Sequence, residues 1–134
     1  MQQEQQVFDI VIKGGTVYDG KLSKPHTAEI GIRDDKITAI GNISGSAKKT
    51  IDAEGLIVMP GIIDVHTHCD LTFKNFGLTR ELADQMPTLQ GNYNYLYQGV
   101  TTVLTGNCGY GYTDTEHWHD LVKSVKFGTN VYQL

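Results

Sequence analysis

The sequence has no run of basic residues. Eleven Lys and Arg stand against fifteen Asp and Glu, a net charge of −4, and no tract is rich in Lys or Arg. That balance argues against a nucleic-acid or anionic-membrane partner. Long apolar runs are missing too. The longest, Leu56 to Ile63, is interrupted by Pro60 and Gly61 and falls far short of the roughly 20 residues needed to cross a bilayer, so no membrane association is expected and the chain should be soluble. Met1 to Gln6 is polar and glutamine-rich, with neither a basic nor an apolar leader segment, which makes the cytoplasm the expected compartment. Only two cysteines are present, Cys69 and Cys108, and in a reducing compartment they are expected as free thiols rather than a disulfide scaffold. Three prolines against 15 glycines exclude a proline-rich or fibrous chain and indicate a globular one with tight turns. There is no internal repeat of solenoid period.

The amino-terminal part reads as short strands. Phe8 to Val17 is a β-branched run broken by Gly14 and Gly15 and closed by Tyr18-Asp19-Gly20. Ala28, Ile30 and Ile32 alternate with Glu29, Gly31 and Arg33, and Asp34-Asp35 turns the chain into Lys36 to Ile40, the pattern of a hairpin. Ile51-Asp52-Ala53 reads as a further short strand, and His26 falls in a loop as a solvated side chain. Residues 1–58 are therefore expected to form a small β scaffold without a chemical cluster. From residue 59 the pattern changes. Ile62 to His66 is a short apolar strand, Asn92 to Gln98 the end of a helix stopped by Gly99, and Val100 to Thr105 a buried β-branched strand. Thr113 and Glu116 have the spacing of a capping box, and Trp118, Leu121, Val122 and Val125 form an apolar stripe at helical spacing. Thr129 to Leu134 starts another strand. Alternating strands and helices indicate a parallel α/β sheet over residues 59–134.

The chemistry concentrates in two places. His66 and His68 lie two apart at the end of a strand, where alternation puts both imidazoles on one side, a ready pair of metal ligands. Carboxyl ends of parallel strands are where α/β barrels carry their functional groups. Asp64 shares their parity and is a candidate to orient an imidazole through a hydrogen bond, or equally a buried acceptor. Asp70 is a further carboxylate in reach of the site, whereas Cys69 has the opposite parity and reads as a packing residue. Gly106-Asn107-Cys108-Gly109 follows the second strand, so a Cys108 thiolate could join the two histidines around a divalent ion, and zinc accepts mixed nitrogen and sulfur ligands. A packing cysteine and a nucleophile remain alternatives, the nucleophile weakened because no histidine stands in sequence to act as its base. His117 and His119 fall on the polar shoulders of their helix and read as solvated.

These segments resemble the amidohydrolase superfamily. Val7 to Asp19 looks like its opening strand, Asp52 to His68 is similar to its first barrel strand, and Gln98 to Gly109 is similar to the second strand of the D-aminoacylases, the N-acyl-D-amino-acid deacylases. The H-x-H segment alone is shared with dihydroorotase and hydantoinase, and the Gly-Asn-Cys-Gly run narrows the likeness to the D-aminoacylase branch. The resemblance implies the start of a TIM (β/α)₈ barrel preceded by the amino-terminal part of a small β-sandwich domain. It implies zinc, with Cys108 holding the tighter ion and His66 and His68 available to a second, weaker site. It also implies hydrolysis of the amide of a small-molecule N-acyl-D-amino acid by metal-activated water, with the proton-shuttling Asp on a late strand outside these residues. A cyclic-amide hydrolase of the dihydroorotase or hydantoinase type is the alternative within the superfamily, and a catalytically inert piece the alternative outside it. A (β/α)₈ barrel takes about 250 residues, so residues 59–134 are expected to supply its first two to three β/α units and no closed barrel.

Overall fold

The computed structural model describes residues 7–21, 23–71, 85, 92–125 and 127–134. The chain divides into two units, Met1–Pro60 and Gly61–Leu134. In the first, the β-branched amino-terminal run forms β1 (Val7–Lys13) and β2 (Thr16–Val17). It is followed by β3 (His26–Thr27), β4 (Glu29–Arg33), β5 (Lys36–Gly41), β6 (Ser46–Asp52) and β7 (Ile57–Val58). The strands form two sheets, one ordered β5-β4-β1-β6 and one ordered β3-β2-β7. Alternation sends Val17 and Val58 from one sheet, and Ile12, Ile30 and Ile32 from the other, into a shared apolar cluster. The β4–β5 pair is the antiparallel hairpin expected, with Arg33 opposite Lys36. Asp34 takes the left-handed backbone of its two-residue turn at φ 55°, a conformation that Asp tolerates better than most residues.

Two expectations in this unit are corrected. His26 lies in β3, paired with Val17, although its side chain is exposed as expected. The strand expected at residues 51–53 begins at Ser46 and runs parallel to β1. Its residues are mostly exposed, so it carries no apolar alternation to read, and its lysines suit an edge strand that must not pair with another chain.

The second unit holds a parallel sheet. β8 (Ile62–Asp64), β9 (Val100–Thr105) and β10 (Asn130–Gln133) are ordered β10-β9-β8, with parallel pairing on both sides of β9. β9 is central, and its Val100, Val103 and Thr105 are buried, which is why its sequence is almost continuously β-branched. A short helix, α1 (Tyr93–Leu96), precedes β9, and α2 (Thr115–Val125) leads on towards β10. The apolar stripe of α2 buries Trp118 and Val125, with Leu121, Val122, Phe127 and Val131 packed against them. Removing a fully buried Trp side chain costs about 3–5 kcal/mol, so Trp118 anchors this layer. The architecture is a mixed α/β fold of parallel and antiparallel sheets with few helices, and the described residues form no closed barrel. No described helix is long and apolar enough to cross a membrane.

The cap of α2 differs from the capping box expected at Thr113. The Asp114 carboxylate accepts the N–H of His117 at 2.9 Å, and its carbonyl accepts the N–H of Trp118. Asp114 is thus the residue that ends the helix at its amino side. His117 and His119 are exposed, as the helical wheel requires.

Candidate metal centre

β8 ends at Asp64, two residues before the expected end of that strand. His66 and His68 therefore stand in the turn beyond it, and strand alternation alone does not place them. Hydrogen bonds do. The Asp64 carboxylate accepts the backbone N–H of His66 at 3.1 Å, so it closes the turn and bonds the main chain rather than an imidazole. Thr67, between the two histidines, points the other way. Its N–H and its hydroxyl both donate to the Leu104 carbonyl, at 2.9 and 2.8 Å, which ties the turn to β9. With Thr67 drawn inward, both imidazoles are left on the outer side, edge to face with ring centroids 5.5 Å apart.

Cys108 reaches the same place from β9. Gly106 leaves the strand at φ 84°, a left-handed conformation that favours glycine, and a Cβ there would stand 2.9 Å from the Gln133 side chain. Cys108 itself is left-handed, at φ 57° and ψ 23°. Such a backbone costs a non-glycine residue about 1–2 kcal/mol and persists where the surroundings impose it. The Cys108 Sγ lies 3.4 Å from His66 Nε2. One donor atom from each of His66, His68 and Cys108 falls within 4.8 Å of the other two.

The donor set fits a divalent soft-to-borderline ion. Zinc bonds to nitrogen and sulfur at about 2.0–2.3 Å, which separates tetrahedral neighbours by about 3.5 Å, close to the Cys108–His66 spacing. His68 Nδ1 is buried without a hydrogen-bond partner among the described residues, an orphaned donor atom whose burial would otherwise be costly. The fold sets His66 beside Cys108, where no histidine neighbours it in sequence. The two are 42 residues apart, and no local spacing could announce the pair.

Asp70 and Cys69 turn inward. Asp70 is fully buried, its Oδ1 accepting the Thr105 hydroxyl, and its Oδ2 has no partner among the described residues. It lies outside the three-residue donor cluster. Cys69 packs with Val100 and Val103. Burial pushes its thiol above the ordinary range, opposed in part by the neighbouring Thr67 and Thr105 hydroxyls, so it stays a protonated packing group. Burial likewise raises the phenols of Tyr95 and Tyr112, and Tyr112 stacks on Trp118 at 5.0 Å.

Thr67, Thr105 and Asn107 were not singled out in the sequence. Thr67 carried no dependable signal, because it lies beyond the end of β8, where strand alternation no longer applies. Thr105 and Asn107 carried none either, because the bonds that tie them to the histidine turn reach 35 to 40 residues away.

A family model described as "Amidohydrolase family" matches residues 49–133, which include all three donor residues. The chain belongs to the amidohydrolase family. It is 42% identical over 117 residues to D-aminoacylase of Alcaligenes xylosoxydans xylosoxydans, covering 87% of this chain and 22% of the relative. With D-hydantoinase of Ralstonia pickettii it shares 53% identity over 65 residues, 47% of this chain and 13% of the relative. Among solved structures it resembles N-acyl-D-glutamate deacylase from Bordetella bronchiseptica in complex with zinc and a phosphonate inhibitor. The TM-score is 0.62 and the identity 37%, over 78% of this chain and 19% of that one. This amidohydrolase chain falls in the D-aminoacylase branch and spans about a fifth of the length of the curated deacylases it matches.

Proposed function

We propose that residues 59–134 supply the first β/α units and the first metal ligands of a zinc-dependent amidohydrolase on a (β/α)₈ barrel, and that residues 1–58 belong to its small β domain. Its reaction is hydrolysis of the amide of N-acyl-D-amino acids to a carboxylate and a free D-amino acid. The observation that carries this reading is the convergence of His66, His68 and Cys108, with donor atoms within 4.8 Å, at the carboxyl ends of adjacent parallel strands. The branch of the family in which the chain falls supports the substrate class.

Zinc at this site would supply polarisation of an amide carbonyl and a lowered pKa for water, towards about 7. The Cys108 thiolate and the His66 and His68 imidazoles would hold it. The Asp64 carboxylate fixes the His66 turn, and the Thr67 bonds to Leu104 hold that turn against β9. No residue of this chain is assigned the proton transfer to the leaving amine.

The test uses full-length protein carrying Cys108→Ala, with zinc content and N-acetyl-D-methionine hydrolysis as readouts. Loss of stoichiometric zinc together with a fall in kcat of at least 100-fold is expected, and unchanged zinc and activity would overturn the reading. The D-hydantoinase match favours one second reading, a cyclic-amide hydrolase. Turnover of hydantoin with none of N-acetyl-D-methionine would establish it in place of the first.

A further inference from the structure

Asn107 stands directly before Cys108, and its side-chain amide reaches two main-chain oxygens on other segments. Nδ2 donates to the Thr67 carbonyl at 3.2 Å and to the Leu104 carbonyl at 3.2 Å. Thr67 lies between His66 and His68, so a single amide group joins the peptide between the two imidazoles to the residue beside the thiol. An NH₂ group has two hydrogens to donate, and both are used here. The acceptors belong to a network that is already pinned. Leu104 O also takes both Thr67 bonds, and the Thr105 hydroxyl, bonded to Asp70, lies 3.3 Å from the Thr67 carbonyl.

The amide therefore opposes a specific strain. Cys108 holds a left-handed backbone at φ 57°, and relaxation of that residue towards the right-handed region would swing Sγ away from His66. We infer that Asn107 is a positioning residue of the metal centre, whose amide locks the Cys108 loop to the histidine turn so that thiol and imidazoles face one ion. The inference rests on the metal-centre reading above and adds a residue that makes no contact with the ion.

It predicts that Asn107→Ala in full-length protein weakens Co(II) affinity about 10- to 100-fold, the usual effect of removing a group that holds metal ligands in place. The thiolate-to-cobalt charge-transfer absorption should weaken with it, while the thermal unfolding midpoint of the metal-free protein changes little. Asn107→Asp is the companion variant. It keeps the shape of Asn107 but sets carboxylate oxygens against two carbonyls, and it should lose at least as much affinity. If Asn107→Ala does not fold, Asn107→Asp decides the matter by the same readouts. Affinity and charge-transfer intensity within twofold of the parent would overturn the inference.

A second readout needs no metal. In the metal-free protein the Thr67 amide, bonded to Leu104, should exchange with solvent at least several-fold faster in Asn107→Ala. A parent that binds no cobalt would refute the metal-centre reading, and unchanged Thr67 exchange would refute the tie itself, so the two failures are distinguishable.

Discussion

At the scale of single residues, charge and hydrogen bonding leave a pH signature in the first unit. The Asp9 carboxyl is held below its ordinary 3.8, first by the hydrogen bond from Lys48 and then by the backbone N–H of Asp34. Glu29 is held below its ordinary 4.5, first by the backbone N–H of Ile43 and then, against some desolvation, by Lys13. A carboxyl whose folded pKa is depressed adds stability above its unfolded pKa and loses it as pH falls through the folded value. Amide protection in β1 and β4 of the full-length protein should therefore fall as pH drops below about 4, and Asp9→Asn should flatten part of that fall. An identical acid profile in the variant would show that Asp9 is not one of the groups responsible. In the candidate site, His66, His68 and Cys108 were all legible as residue types at strand ends. Their mutual distances were not, because the contact between Cys108 and His66 spans 42 positions.

At the scale of elements, β9 and the apolar stripe of α2 were readable because burial writes itself into β-branched and helical periodicities. Element ends were less so. The T-x-x-E spacing pointed to Thr113 as the cap, yet Asp114, one residue later, accepts the His117 N–H. Either residue type can cap a helix, and only the path of the chain into α2 selects between them. Asp114→Ala should destabilise the first turn of α2 by about 1 kcal/mol, seen as roughly fivefold faster exchange of the His117 amide, whereas Thr113→Ala should leave it within twofold. The reverse ranking would restore the capping box. The shift in the end of β8 has a similar origin. Val65 and His66 continue the apolar and polar alternation, but the Asp64 carboxylate captures the His66 N–H and bends the chain out of the sheet.

At the scale of the whole molecule, the parallel sheet of the second unit has edges at β8 and β10 among the described residues, and Ile62, Ile63 and Tyr132 on those strands, with Val65 and Leu134 just beyond their ends, are exposed. Unpaired edges with apolar side chains recruit other chains. Residues 1–134 expressed alone should therefore be recovered as aggregated or partly folded material in size-exclusion chromatography, and a monomeric peak with a sharp cooperative melt would contradict this. The β-branched strands β1, β4 and β9, the stripe of α2 and the residue types fit to hold a metal were determined by the sequence itself, because local periodicity and donor chemistry are properties of neighbouring residues. The joining of the two donor loops was decided only by the tertiary structure. Parallel pairing of β8 with β9 brings together strands separated by more than 30 residues, and the Asn107, Thr67 and Thr105 bonds that set the spacing of the three donors exist only after that pairing has formed.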